Sequence, residues 1–203
     1  MAARGDKRRC CELCRLLSKG ARGDAIAAYL DGLEPDARMA EALSVRGSCL
    51  GKLYDAAALN ARVGQEDFVP PDAPASATFI FEGRNSLPAF SRFQKWFARV
   101  SPELVIGHNH QPYIVVSGPG YFAFKPPSAT ADVADEPYFD YTQAPEHVPT
   151  GWPRYRPNDW GPSLIVFAGL KDYLRRVARG VVVGKAFRKG TDLKQYFILA
   201  RAD

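Results

Sequence analysis

The sequence predicts an α+β chain, a helical N-terminal arm over residues 1–68 followed by an antiparallel β-barrel domain over residues 69–203. Three observations predict it. Short apolar runs separated by Gly or charged turns succeed one another from Ser163 to Arg201, the spacing of strands that meander or close on themselves. Before Pro70 the apolar residues instead recur at helical spacing in a segment rich in Ala. Between the two lies Val69-Pro-Pro-Asp-Ala-Pro, a stiff connector that cannot continue a helix.

In the arm, Arg9 to Lys19, Gly23 to Leu33, Asp36 to Ser44 and Leu53 to Val63 read as short helices. Leu13, Leu16 and Leu17 fall on one face, as do Ala25, Ile26, Tyr29 and Leu30. Asp24 and Asp36 stand near two starts, where a carboxylate can cap free amides. After the connector the period becomes two. Ala77 to Glu82, Leu104 to His108, Tyr113 to Ser117 and Tyr121 to Lys125 have the β-branched and aromatic content of strands. Gly118-Pro119-Gly120 is expected to turn the last pair into a hairpin. Phe90, Phe93, Trp96 and Phe97 fit a helix, but Phe93, Lys95, Phe97 and Arg99 alternate with Gln94, Trp96 and Ala98, which favours a strand from Phe93. The closing runs, Ser163 to Leu170, Asp172 to Arg179, Val181 to Arg188 and Gln195 to Arg201, are expected to be strands. The stretch 126–162 holds eight prolines and many aromatics and reads as a long loop, a lid or a clamp.

The chain has 203 residues, 46% hydrophobic and 24% charged, enough for one substantial core. No run approaches the roughly 20 apolar residues of a membrane span, which predicts a soluble or peripheral protein. The Arg-rich start (Arg4, Lys7, Arg8, Arg9) reads as a solvated helix end or the remnant of a transit peptide. Charge is segregated: seven basic residues against one acid from Lys171 to Lys189, and six acids against two arginines from Ala131 to Asp159. This predicts an electrical polarity, with Arg175, Arg176, Arg179 and Lys185 as contacts for an anion or partner such as an anionic membrane surface, unless they are the outward positions of strands. No nucleic-acid-binding motif accompanies them, so nucleic acid is the weaker partner.

Sharper chemistry is sparse. Cys11 and Cys14 lie one helical turn apart, with Cys10 and Cys49 as further thiols, but a second close ligand pair is lacking; Cys14 is expected to pack with Leu13 and Leu17. His108 and His110 point to the same side of a strand, and with His147 they make the only histidine set that could hold zinc or iron. Gly107 and Pro112 instead favour solvated histidines near a turn. No hydrolase elbow, Walker loop or dinucleotide fingerprint is present. A metal-dependent enzyme is therefore the alternative, and a non-enzymatic binder without a cofactor is the leading reading.

The ending Leu170-Lys-Asp-Tyr-Leu-Arg-Arg-Val-Ala-Arg-Gly, then Val181-Val-Val-Gly-Lys-Ala-Phe and Tyr196-Phe-Ile-Leu, resembles the closing strands of lipocalin-like barrels. With Leu50-Gly-Lys-Leu-Tyr after the helices, it is loosely similar to the plastid-lipid-associated (fibrillin) proteins. The resemblance implies a lipid or pigment carrier, intracellular and in a plastid if the likeness holds, or an accessory subunit of a larger assembly. Strand alternation nominates Phe79, Phe81, Trp96, Tyr121, Phe122, Phe124, Phe187 and Phe197 as the residues lining a site for a small hydrophobic ligand.

Overall fold

The computed structural model describes residues 11–58, 62–75, 77–89, 91–112 and 114–202. The basic start, Cys10 and Phe90 lie outside them. Four helices come first: α1 (Glu12–Ser18), α2 (Gly23–Asp31), α3 (Pro35–Ser44) and α4 (Ser48–Ala56). Pro35 opens α3, where its fixed φ suits a helix and its missing N–H has no partner to lose. A 3-10 turn, Gln65–Asp67, precedes β1 (Phe79–Asn85), β2 (Arg92–Ser101) and β3 (Leu104–His110). Then come α5 (Ile114–Ser117), β4 (Phe122–Lys125), β5 (Tyr138–Asp140), α6 (Ser163–Phe167), β6 (Leu170–Ala178), β7 (Val181–Arg188) and β8 (Thr191–Ala200).

The eight strands form a closed antiparallel barrel in sequence order, β8 pairing back onto β1 through Glu82 to Asn85. The helices lie against its outer wall. Leu13, Ile26, Leu30, Leu50 and Leu53 share one buried cluster with the outward residues Val177, Val181, Val183, Ile198 and Ala200. The inward residues make a second cluster, rich in phenylalanine: Phe81, Phe97, Phe122, Phe124, Phe139 and Phe197. Three of the large inward rings sit opposite a glycine. Phe93 pairs with Gly83, Phe122 with Gly107 and Phe197 with Gly184, and a Cβ on each glycine would stand 2.6, 2.4 and 2.0 Å from the facing ring. The missing side chains make room for rings inside a narrow barrel.

One end of the barrel is shut. Phe68, just after the 3-10 turn, inserts among Phe81, Phe97, Phe124 and Phe139, stacking on Phe97 at 4.6 Å. Three arginines, two on strands and one just past β8, bracket this plug. Arg99 donates to the Gln65 side chain and the Val69 carbonyl, Arg176 to the Asp67 carboxylate, and Arg201 to the Phe68 carbonyl.

The structure corrects several expectations. Residues 114–117 and 163–167 are short helices rather than strands, both at the open end of the barrel. The last arm helix begins at Ser48, not Leu53. The long loop supplies β5 and straps the outer wall, with Trp152 donating to Thr78 and Asn158 donating to the Tyr121 and Tyr141 carbonyls. The two charge blocks also meet, because β5 pairs with β6. Lys171 faces Asp132 at 3.5 Å and Arg175 faces Glu136 at 2.7 Å, so two pairs across β5 and β6 offset part of the expected polarity. No helix among the described residues is long and apolar enough to cross a membrane.

Candidate functional site at the open end of the barrel

Alternation along β2 sends Phe93, Lys95, Phe97 and Arg99 inward. Arg99 reaches the plugged end, but Lys95 lies in the interior, 2% exposed. A lysine there needs partners, since an unpaired buried charge is very costly. It has three. Its ammonium donates to Asn109 Oδ1 at 2.9 Å, to Asp172 Oδ2 at 3.3 Å and to the Tyr141 hydroxyl. Tyr141 in turn donates to Asp172 Oδ2 at 3.1 Å, while Asn109 Nδ2 donates to the Tyr141 oxygen at 3.2 Å and the Gly120 carbonyl at 3.0 Å. Four strands or strand ends (β2, β3, the residue after β5, and β6) thus converge on one polar layer. Phe122 holds its ring 4.5 Å from the ammonium, and Phe93, Phe139, Tyr141 and Phe197 lie within 6 Å.

Burial pushes the Lys95 ammonium below its ordinary pKa, and the Asp172 carboxylate opposes the fall. The Tyr141 phenol is pushed up, by burial first and then by the same carboxylate.

Above this layer the barrel is open. A cavity of about 280 Å³ has Lys95, Asn109, Tyr141 and Asp172 at its floor. Phe93, Phe197, Leu170, Ala186 and Phe167 supply apolar wall, with Gln111, Gln195 and Arg188 among the polar residues of the lining. The helices α5 and α6 flank the mouth. They leave Val115 at 76% and Ile165 at 74% exposure, beside exposed Val116, Leu164 and Leu87.

The nominated aromatic residues divide between the two faces of the wall. Phe81, Phe122, Phe124 and Phe197 point inward and Phe79 packs half-buried beside them, but only Phe197 of the eight lines the cavity. Trp96 and Tyr121 belong to an outer cluster with Trp152, and Phe187 packs on Tyr173, also outside. Lys95, Asn109, Tyr141 and Asp172 were not nominated. The signal for Lys95 is a charged residue between Phe93 and Phe97 in the inward file.

Of the basic residues, Arg175 grips Glu136 with two N–H groups and lies over the Tyr54 ring at 4.2 Å, Arg176 binds Asp67, and Lys185 binds Asp192 at 2.8 Å. Arg179 remains exposed at the turn after β6. His108 and His110 are ring neighbours at 6.3 Å, but the three histidines do not converge as a set. His108 is buried in an aromatic box, 4.7 Å from Trp152, 5.3 Å from Trp96 and 5.5 Å from Tyr121, and His110 stacks on the outer side of Trp96. His147 is exposed in the strap, and among the described residues no three His, Cys, Asp or Glu side chains converge as a metal set. Burial lowers the His108 pKa to about 4. Cys11, Cys14 and Cys49 are free thiols, with Cys14 buried in the helix cluster beside Leu13.

No family model, curated protein or solved structure matches the chain.

Proposed function

We propose that the open end of the barrel binds a small, mostly apolar molecule carrying one neutral hydrogen-bonding head. The observation that carries this reading is the polar layer at the floor of an apolar cavity. Elsewhere the interior is filled by phenylalanine, which needs no lysine for its stability. Replacing a buried ion pair by well-packed apolar residues is often neutral or stabilising, so a Lys–Asp pair at the end of a cavity favours a role toward a ligand. Because Lys95 is matched by Asp172, a head with its own net charge would find no unmatched counter-charge at the floor. A carbonyl, hydroxyl or amide head fits better. The volume lies near the low end of ligand sites, roughly 300–1,000 Å³, so a long acyl chain would extend past α5 and α6, whose exposed Val115 and Ile165 offer it an apolar lip.

Native mass spectrometry of the freshly purified protein tests this. The expected result is an organic adduct absent from the denatured spectrum, or its uptake when 2-naphthalenemethanol is offered. Phe197→Trp, which enlarges a cavity wall, should lose that uptake. A chain that takes up no apolar probe and copurifies with none would overturn the reading.

A further inference from the structure

Building on the cavity as a ligand site, we propose that its guest is an aldehyde or small ketone that Lys95 captures covalently as an imine. Among the described residues Lys95 is the only lysine that lines the cavity. Lys171, Lys185 and Lys194 lie in ion pairs on the outer wall and its edges. Desolvation works against the charged form of Lys95, which keeps a neutral nucleophilic amine within reach. Around it stand the groups that imine chemistry uses: a carboxylate at 3.3 Å and a phenol in hydrogen-bond contact.

The steps balance. Asp172 takes one proton from the ammonium, and the freed lone pair of Nζ attacks the carbonyl carbon as the C=O π electrons move to oxygen. A proton passes from nitrogen to that oxygen, with the Tyr141 hydroxyl placed to relay it, giving a carbinolamine. Asp172 then returns its proton to the hydroxyl, water leaves, and the nitrogen lone pair forms the C=N bond. The sum is ammonium plus aldehyde giving a protonated imine plus water, with no net change of charge. Asp172 is the counter-ion at both ends. The imine nitrogen keeps one N–H for Asp172, while Asn109 and Tyr141 are released to the ligand and solvent. Nothing in this cycle needs an oxidant or reductant.

The experiment incubates the whole protein with 2-naphthaldehyde and cyanoborohydride, which reduces an imine to a stable secondary amine, and maps the label by peptide mass spectrometry. The expected result is one label per chain, on Lys95 rather than on the outer lysines, lost in the double variant Lys95→Met/Asp172→Asn. 2-Naphthalenemethanol, which cannot form an imine, separates the two readings in parallel. Uptake of the alcohol with no label on Lys95 overturns covalent capture and leaves the binding site standing. Failure of both probes overturns the cavity itself. Label spread evenly over the surface lysines also overturns the proposal.

Discussion

If the Lys95–Asp172 pair serves a ligand rather than the fold, removing one partner should be far more harmful than removing both. Lys95→Met leaves the Asp172 carboxylate buried with only the Tyr141 hydroxyl, 3.1 Å away, donating to it among the contacts of this layer. Asp172→Asn leaves the ammonium with Asn109 and Tyr141 but no counter-charge, among five aromatic rings. Breaking a buried pair on one side costs about 3–5 kcal/mol, a large share of the roughly 5–15 kcal/mol that holds a domain together. With a urea slope of about 2–3 kcal/mol per M, each midpoint should fall by about 1.5 M. The double variant Lys95→Met/Asp172→Asn carries no buried charge, and Asn can still bond Tyr141. It should lie within about 1 kcal/mol of the parent, so the two changes couple by several kcal/mol in a double-mutant cycle. A pH titration separates the singles. In Asp172→Asn a lysine without its counter-ion has a folded pKa further below its unfolded value. The unfolded chain then holds the extra proton, and stability rises with pH until the unfolded lysine titrates near 10. That slope should be steeper than in the parent. Urea melts of the four proteins decide the matter. Single variants that cost under about 1 kcal/mol would show the pair to be solvated, and a double variant as unstable as the sum of the singles would show that the two groups do not act on each other.

Further predictions follow from the rest of the molecule. His108 has a folded pKa of about 4 against an ordinary 6.5, chiefly through burial, with the Asn109 carbonyl opposing and His110 and Lys95 adding to the fall. The unfolded state therefore binds the proton first, and stability is lost as pH drops from about 6.5 towards 4, by up to about 3 kcal/mol. Trp fluorescence melts should show that His108→Phe lacks this share of the acid loss; identical pH profiles would refute it. Gly107→Ala should cost about 2–3 kcal/mol, more than Gly83→Ala, because its Cβ would meet the Trp96 carbonyl at 2.6 Å as well as the Phe122 ring, whereas at Gly83 the nearest atoms all belong to the Phe93 ring. Thermal melts of the two variants give the order. Arg175→Ala removes two bonds to Glu136, one to the Tyr54 carbonyl and the contact with its ring. It should cost about 3 kcal/mol, and limited proteolysis should show cleavage in the helical arm before the barrel.

How far the sequence discloses this molecule depends on where each pattern is set. The strands β2, β3 and β6 to β8 are legible because alternation over seven or more residues marks a wall with an inside and an outside. That same alternation places Lys95 and Arg99 in the inward file of Phe93 and Phe97. Read as chemistry, the file says that something must neutralise a charge inside the barrel, but not what. Asn109 sits opposite Lys95 on the next strand, but Asp172 is four strands away in sequence, and Tyr141 lies after a three-residue strand, too short for any periodicity, inside a segment dominated by proline. Only the closure of β5 onto β6 brings Tyr141 and Asp172 within hydrogen-bond distance, and the same pairing sets Lys171 and Arg175 against Asp132 and Glu136. The errors at 114–117 and 163–167 have a common cause. Ile114-Val-Val and Leu164-Ile-Val have strand composition, yet β8 pairs back onto β1 and leaves no edge for another strand. Pro162, at helical φ directly before α6, starts a turn of helix instead. These β-branched residues, denied a ladder, end exposed around the mouth. The stretches least like their sequence expectation are thus the ones that frame the cavity, where local preference yields to the closed topology.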